Sequence, residues 1–256
     1  TGNAISSHPD VEMVSFTGST RAGIAVAIAA APTVKRVHQE LGGKSPNLVL
    51  PDADFAAHLP ATLMGPLVNT GQSCISPTKV LVPRERIGEA AEFAKAMYSA
   101  TPVGDPMTEG NHLGPVVNKA QFEKVRGLIQ SAIDEGATLV TGGPDLPSNV
   151  NRGYYIQPTV FTDVTPDMRI AQEEIFGPVL SVLTVDDADA AVRIANDTMY
   201  GLAAAVWTRD LATAHRVSRQ LRAGLVWVNC FDADDITTPF GGSKQSGNGR
   251  DKSLHA

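Results

Sequence analysis

The sequence predicts an α/β fold built on a parallel sheet. Short apolar, β-rich runs alternate with helical periods along nearly the whole chain. The clearest helix covers residues 119–135, where apolar side chains such as Val125, Leu128 and Ile129 recur at spacings of three and four. Parallel neighbours need long crossover connections, which the intervening helices supply. With 43% hydrophobic and 19% charged residues, the composition is globular and excludes a disordered or fibrous chain.

The individual elements follow from the same periodicities. The predicted strands cover residues 11–16, 34–40, 47–50, 79–82, 137–140, 159–164, 179–185, 203–207 and 225–228. The predicted helices cover residues 20–31, 52–69, 87–99, 119–135, 187–196 and 211–220. Two stretches rich in glycine and proline, residues 101–118 and 142–153, are predicted loops, and the first is expected at the surface.

The net charge and the length of the apolar runs argue against two classes of partner, nucleic acids and membranes. The 256 residues carry 27 acidic and 21 basic side chains, a net charge of −6, which argues against a general nucleic-acid surface. The longest apolar run, residues 24–31, falls far short of the roughly 20 residues that span a bilayer, so no membrane partner is predicted. The absence of an initiator methionine at Thr1 suggests a piece of a longer chain.

Cys74 and Cys230 are the only cysteines, and their wide separation favours free thiols in a reducing, cytoplasmic compartment. No Cys-x-x-Cys motif occurs, and the six histidines lack metal-ligand spacing, so no metal site is predicted. Cys230 follows an apolar strand and is expected to be structural.

Cys74 and Glu40 are the candidates for covalent and acid–base chemistry. Cys74 lies on a predicted loop in Gly-Gln-Ser-Cys, and such a thiol is a nucleophile if it is exposed and its pKa is lowered. The alternative is a small buried hydrophobe. Glu40 ends a predicted strand and precedes two glycines, a suitable place for a general base. The alternative is a surface salt bridge to Lys44 or Lys35.

Two further segments suggest ligand contacts. Residues 17–20, Thr-Gly-Ser-Thr, form a predicted strand-to-helix turn whose N–H groups suit a phosphate, although an ordinary helix N-cap explains them equally well. Residues 173–178, Glu-Glu-Ile-Phe-Gly-Pro, place two acids before a turn, where they would accept hydrogen bonds from ribose hydroxyls or face solvent.

These segments occur in one order along the chain, together with Glu-Leu-Gly-Gly-Lys-Ser-Pro at 40–46 and Pro-Phe-Gly-Gly at 239–242. In this combination the whole chain resembles the NAD(P)-dependent aldehyde dehydrogenase superfamily. Residues 244–256 are most similar to bacterial members that act on γ-glutamyl-γ-aminobutyraldehyde and related ω-amino aldehydes. The resemblance implies oxidation of an aldehyde to a carboxylic acid with NAD or NADP, of which NAD is preferred here.

The resemblance also implies a role for each matching residue. Cys74 would attack the aldehyde carbon, its backbone N–H would form half of the oxyanion hole, and Glu40 would activate the water that hydrolyses the resulting thioester. The matching cofactor contacts are Thr17, Gly18, Ser19, Leu41, Glu174 and Phe176. Residues 1–40 would be the last part of a Rossmann-like cofactor domain, residues 41–242 the catalytic domain, and residues 243–256 a segment that returns toward the cofactor domain.

The chain also departs from the family. It lacks much of the family's N-terminal half, including the adenine-ribose lysine and the oxyanion-hole asparagine, and the C-terminal strand used in oligomerisation. A full-length parent is expected to be a homodimer or homotetramer. Leu67 and Val68 replace an aromatic residue often present near the nucleophile, which would reshape the substrate funnel. Asp251 replaces a glutamate proposed to relay protons.

An acidic loop indicates the substrate. Residues 231–238 match the loop that borders the family's substrate tunnel and contain three acids in four positions. We expect Asp232 and Asp234 to meet a cationic end of the aldehyde, with Phe240 also on the substrate side. The alternative is a solvated loop.

Three rival functions remain open at this point. A CoA-acylating dehydrogenase would use the same cysteine but typically lacks the base that Glu40 provides. A cysteine hydrolase would need a histidine partner for Cys74, and only His58 lies near it in sequence. The third rival is a truncated relative that serves as a binding or structural protein.

Overall fold

The computed structural model describes residues 1–110, 112–233 and 235–254. Its strands are β1 (Met13–Thr17), β2 (Arg36–Glu40), β3 (Pro46–Val49), β4 (Lys79–Pro83), β5 (Thr138–Thr141), β6 (Thr159–Thr162), β7 (Val179–Val185), β8 (Ala203–Trp207), β9 (Leu225–Val228) and β10 (Gly247–Asn248). Its α-helices are α1 (Gly2–Ser7), α2 (Thr20–Ala30), α3 (Phe55–Met64), α4 (Ile87–Ala100), α5 (Lys119–Asp134), α6 (Arg169–Gln172), α7 (Ala188–Asn196) and α8 (Leu211–Gln220).

The strands form two sheets. The larger has seven strands in the order β5-β6-β7-β4-β3-β8-β9, and the smaller has three in the order β1-β2-β10. Apart from β5, every strand of the larger sheet pairs with its neighbours in parallel, as the alternating pattern predicts. The fold is therefore α/β.

One pairing corrects the prediction of parallel strands. β5 runs antiparallel to β6, because these two strands are joined by a loop over residues 142–158 rather than by a crossover helix. In the smaller sheet, β10 also runs antiparallel to β2, next to the parallel pair β1–β2.

Two apolar layers cover the larger sheet, since successive strand residues point to opposite faces. Leu48 and Leu81 belong to one layer, which holds the apolar faces of α5, α7 and α8. Val49 and Val80 belong to the other, which holds α3 and α4. The strands between β5 and β9 are buried on both faces, which explains their continuous apolar runs.

Polar side chains fix where the helices begin. Ser19, Asp54, Asn118, Asp187 and Asp210 each accept a hydrogen bond from a backbone N–H three residues later. The predicted helix over residues 52–69 is shorter than expected. α3 ends at Met64, and a 3₁₀ turn with a kink follows over Gly65–Gly71, where Asn69 and Thr70 have positive φ.

The predicted loop over residues 101–118 has neither helix nor strand among its described residues, but it is not wholly at the surface. Val103 and Leu113 form an isolated bridge, and Leu113 is fully buried. No local pattern in the sequence predicts the short elements α1, α6 and β10. Within the described part of the chain, no helix is both long and apolar enough to cross a membrane.

Candidate active site

Glu40 lies at the end of β2, between the two neighbouring strands of the smaller sheet. It pairs with Thr17 of β1 on one side and with Gly247 of β10 on the other. Its side chain is 7% exposed, and neither carboxylate oxygen has a hydrogen-bond partner that meets strict geometry. Burial raises the pKa of Glu40, and nearby His38 opposes this shift. A buried carboxyl with a raised pKa is suited to take up a proton.

Cys74 lies on a tight loop beyond the 3₁₀ turn. Gly71 has a φ of +70°, and a Cβ there would come within 2.1 Å of the carbonyl oxygen of Gly177. A Cβ on Gly43 would likewise lie 2.3 Å from the carbonyl oxygen of Cys74. Gly43 thus lets the Glu-Leu-Gly-Gly segment lie directly against Cys74, and Gly71 lets the start of the Gly-Gln-Ser-Cys loop lie against Gly177.

The Cys74 thiol differs from the exposed, low-pKa thiol that the sequence analysis required. Cys74 is half-buried, and its pKa is raised, first by burial and then by the negative charges of Glu174 and Glu40. The resting group is therefore a protonated thiol with two carboxylates close enough to act on it.

Glu174 is fixed beside both segments. Its Oε1 accepts a hydrogen bond of 3.1 Å from the backbone N–H of Gly43, and a Cβ on Gly42 would lie 2.7 Å from Oε2. Burial raises the pKa of Glu174. The loop that follows is held by Gln121, whose side-chain amide donates to the carbonyl oxygens of Ile175 and Phe176 at 2.9 and 2.8 Å.

The predicted cofactor residues near the N-terminus of α2 are exposed. Thr17, Gly18 and Ser19 lie at the surface, and the N–H of Gly18 donates to the carbonyl of Glu40 at 3.0 Å. The Ser19 hydroxyl caps α2, so the helix-cap interpretation is correct for its side chain. Leu41 is 4% exposed and packs on Gly23, so any contact with a cofactor would come from its backbone.

A cavity of about 220 Å³ is lined by Ser73 and Ile75, the two sequence neighbours of Cys74. Its lining is mostly apolar and includes Met64, Val68 and Phe231, with the carboxyl-bearing Asp232 at one side. Asp232 is exposed and has a φ of +57°. Asp234 lies outside the described residues. Phe240 does not line this cavity; it bridges to Asp251 instead.

The lysines near Glu40 do not form the surface salt bridges considered as an alternative. Lys44 is only 1% exposed, its Nζ has no hydrogen-bond partner among the described residues, and burial lowers its pKa to about 7, with Lys79 adding repulsion. Lys35 donates to the hydroxyl of Thr33. The titratable side chain in contact with Glu40 is His38, whose Nε2 lies 3.5 Å from Oε1.

The sequence analysis missed His38, Lys44 and Ser246 as site residues. His38 was detectable, because residues two apart on a strand share a face. The hydroxyl of Ser246 donates to the carbonyl of Gly42 at 2.6 Å, although no local motif signals it. Cys230 packs with Trp227 and Ile75 in a small apolar cluster. Among the described residues, no three His, Cys, Asp or Glu side chains are grouped as metal ligands.

Comparison with known proteins identifies related enzymes. The betaine aldehyde dehydrogenase of Rhizobium etli is 49% identical over 257 residues, which cover 100% of this chain and 53% of that protein. The 3-succinoylsemialdehyde-pyridine dehydrogenase of a Pseudomonas species is 47% identical, covering 98% of this chain and 52% of that protein. The chain thus spans about half the length of the curated relatives it matches.

Solved structures of related proteins superpose closely on this chain. Aldehyde dehydrogenase C of Pseudomonas syringae, determined as a mutant with NAD⁺ and octanal, superposes with a TM-score of 0.96 at 51% identity, covering 99% of this chain and 52% of that one. The γ-glutamyl-γ-aminobutyraldehyde dehydrogenase of Burkholderia cenocepacia gives a TM-score of 0.94 at 49% identity, covering 99% and 52%. The model of the aldehyde dehydrogenase family matches residues 1–256. The chain belongs to the aldehyde dehydrogenase family.

Proposed function

We propose that the complete gene product that carries these 256 residues oxidises an aldehyde to a carboxylic acid with NAD or NADP. The observation that supports this most directly is the convergence of Cys74, Glu40 and Glu174. Gly43 abuts the backbone of Cys74 and binds Glu174, while Glu40 ends the strand that leads into the same segment. One thiol and two carboxylates, all with raised pKa values, thus lie close enough for the carboxylate charges to act on the thiol.

The residues present fit a dinucleotide. The exposed turn over residues 17–19 leads into α2, whose N-terminus is a place where an anion is stabilised, although the Gly18 N–H itself is bonded to the Glu40 carbonyl. The fixed carboxylate of Glu174 is suited to accept hydrogen bonds from ribose hydroxyls, and the missing Cβ of Gly42 leaves room beside it. Phe176 would lie against the same ribose. When bound, the cofactor accepts the hydride from the substrate carbon. NAD is the preferred cofactor, since related structures contain NAD⁺.

The chain's own residues would perform the covalent steps. Cys74 Sγ gives its proton to a water molecule and attacks the aldehyde carbon, and the backbone N–H of Cys74 stabilises the oxygen that becomes negative. Once the hydride has left, the acyl group remains on Cys74 as a thioester. Glu40 removes a proton from water, the resulting hydroxide attacks the thioester, and Cys74 departs as the acid is released. A separate base is needed because the sulfur is occupied by the acyl group.

The cavity beside Cys74 supports an aldehyde with an apolar chain and a cationic end. Met64, Val68 and Phe231 would contact the chain, and Asp232 would contact an ammonium group. Val68, in the pair that departs from the family, is 53% exposed at this cavity. A hydrogen bond to a charged group contributes about 1.5–3 kcal/mol, so Asp232 would discriminate by roughly 10–100-fold. Relatives named for betaine aldehyde and γ-glutamyl-γ-aminobutyraldehyde fit substrates of this kind.

The rival functions have less support. His58 stacks on Trp207 at a ring distance of 4.9 Å, and the charges that shift the Cys74 pKa are carboxylates, which disfavours a cysteine–histidine hydrolase. The buried Glu40 disfavours transfer of the acyl group to CoA. The division into residues 1–40, 41–242 and 243–256 remains our proposal for the domains. The two-sheet arrangement supports it, since β10 lies beside β2 in the smaller sheet.

The test compares 4-aminobutanal with pentanal, which have chains of equal length. Cofactor reduction is measured with the complete gene product and its Asp232→Asn variant, and Asp186→Asn, an exposed position paired with Arg84, is the control. We expect kcat/KM to favour the amine at least tenfold, and only Asp232→Asn to remove that preference. Equal kcat/KM values for the two aldehydes would refute the preference for an amine but would leave the dehydrogenase activity supported. No reduction of either cofactor would refute the proposed function.

A further inference from the structure

Three side chains form a continuous polar path across the smaller sheet. His38 Nε2 lies 3.5 Å from Glu40 Oε1, and His38 Nδ1 lies 3.1 Å from the hydroxyl oxygen of Ser15. Ser15 is the register partner of His38 across β1 and β2, and Glu40 lies two residues beyond His38 on the same strand. Residues two apart share a face of a strand, so the three side chains lie in one row.

Within these 256 residues, the row leads from a buried carboxyl to an exposed hydroxyl. The side chain of Glu40 is 7% exposed and that of His38 is 13% exposed, whereas Ser15 is exposed. Both Glu40 oxygens and His38 Nε2 lack any other hydrogen-bond partner in the described part of the chain. Burying a carboxylate without hydrogen-bond partners costs free energy, so the nearby imidazole of His38 is the group that can stabilise its charge.

The C-terminal segment closes the other side of Glu40. A Cβ on Gly241 would lie 2.8 Å from Glu40 Oε1, and a Cβ on Gly249 would lie 2.3 Å from His38 Cδ2. The backbone at these glycines therefore covers the carboxylate and the imidazole closely. Direct access of bulk water to Glu40 from this side is restricted.

Two other charged groups act on Glu40 from the C-terminal segment. Asp251 raises and Arg250 lowers the pKa of Glu40 through their charges. Asp251 Oδ1 accepts from the N–H of Lys252, and Arg250 Nη1 donates to the carbonyls of Gly242 and Gly249. The contact that connects Glu40 to another titratable side chain is the one with His38.

The proposed function requires Glu40 to release a proton in each turnover, and these three side chains offer a route for it. In each turnover a base that activates water gains a proton, and it must lose that proton before the next cycle. We propose that His38 and Ser15 carry this proton away from Glu40, along the face of β1 and β2 that bears all three side chains, to water beside Ser15. This inference rests on the proposed role of Glu40.

The proposed transfer delivers one proton from Glu40 to water in three steps. The proton leaves Glu40 Oε1 and binds His38 Nε2, which is unprotonated in the starting tautomer. The proton on Nδ1 then passes to the hydroxyl of Ser15, which releases its own proton to water. Rotation of the imidazole or exchange with solvent restores the starting tautomer. The 3.5 Å gap shortens when Glu40 is protonated and becomes a donor.

The test isolates hydrolysis of the acyl-enzyme and needs no cofactor. The complete gene product is mixed with p-nitrophenyl acetate, so that a burst of nitrophenolate reports acylation of Cys74 and the following steady rate reports thioester hydrolysis. The variants are His38→Gln, His38→Gly and Ser15→Ala. His215→Gln, at an exposed position on α8, is the matched control.

We expect His38→Gln to keep the burst and to slow the steady rate about tenfold. Loss of a positioned acid–base group lowers a reaction rate about 10²–10⁴-fold. The expected loss is smaller here, because the proton can still leave Glu40 more slowly through water. Added imidazole should restore the rate of His38→Gly, whereas Ser15→Ala should lose less, because water can replace a hydroxyl.

A steady rate for His38→Gln equal to that of His215→Gln would overturn the relay, and so would a slow His38→Gly that imidazole does not restore. Activity of the wild-type protein separates the two proposals. If it oxidises aldehydes while His38→Gln behaves normally, the relay alone fails. If it neither shows a burst nor reduces a cofactor, the proposed function fails and the relay fails with it.

Discussion

Ser246 and Gly42, 204 residues apart, are joined by a hydrogen bond of 2.6 Å from the serine hydroxyl to the glycine carbonyl. The same hydroxyl oxygen accepts from the N–H of Gly201 at 2.9 Å. Ser246 is fully buried, so this one side chain connects the C-terminal segment, the Glu-Leu-Gly-Gly segment and the entrance to β8. The site is thus assembled from parts of the chain that are distant in sequence.

Replacing Ser246 by alanine should destabilise this junction. The change leaves the Gly201 N–H and the Gly42 carbonyl without partners, and a buried unsatisfied group costs about 1–3 kcal/mol. We expect the free energy of unfolding in urea to fall by about 2 kcal/mol. Ser218→Ala, at a half-buried position on α8 where the hydroxyl makes only a solvent-exposed hydrogen bond, should change it by less than about 0.5 kcal/mol. Equal urea midpoints for the two variants would contradict the proposed importance of the junction.

The sequence alone predicted much of this arrangement, but not all of it. The strand that ends at Glu40 and the loop that carries Cys74 follow from local patterns, because apolar periodicity and glycine placement are local properties. The antiparallel β5 could not be predicted, since its direction depends on which strand it meets after a long loop. Burial of Lys44 was also hidden, because a lysine between glycine and serine resembles a surface residue.

A methyl group at Gly43 should displace Cys74. A Cβ there would lie 2.3 Å from the Cys74 carbonyl oxygen, so the backbone of the Cys74 loop must shift. A displacement near 1 Å costs about 10²-fold in rate, and we expect Gly43→Ala to lower kcat/KM by at least that factor. Gly127→Ala is the control, because nothing lies within 4 Å of a Cβ at that helical position.

The control variant, Gly127→Ala, should be more stable than the wild type. Alanine in a helix interior is about 0.8–1.0 kcal/mol better than glycine, so Gly127→Ala should raise the urea midpoint and keep the activity. A Gly43→Ala variant as active as Gly127→Ala would show that the close approach of Gly43 to Cys74 is not needed.

The buried Lys44 should make stability depend on pH. Its pKa is about 7 in the folded protein and 10.5 in its ordinary state, so between these values the unfolded chain binds a proton that the folded protein lacks. Stability therefore rises with pH across this window, and Lys79, with a pKa of about 8, adds to the rise. We expect the urea midpoint to increase from pH 7 to pH 8.5, and Lys44→Met to reduce that increase.

Lys119→Met controls for loss of a positive charge, because Lys119 is 72% exposed and pairs only with Glu123 among the ion pairs of the described residues. This variant should keep the wild-type pH dependence. If Lys44→Met had the same slope as Lys119→Met, Lys44 would not be the source of the effect.

Thiol labelling tests the charges around Cys74. Glu174 and Glu40 both raise the pKa of this thiol, and Glu174 has the larger effect, so removing either charge should increase the thiolate fraction. Without cofactor at pH 7.5, iodoacetamide should modify Cys74 faster in Glu174→Gln than in Glu40→Gln, and faster in both than in the wild type. Mass spectrometry of the Cys74 peptide measures the rates separately from Cys230, and exposed Glu123→Gln should leave them unchanged. The reverse order of the two variants, or rates equal to the wild type, would show that these carboxylates do not set the reactivity of Cys74. The predicted order would mean that the resting site holds its nucleophile protonated, so that formation of the thiolate awaits ligand binding.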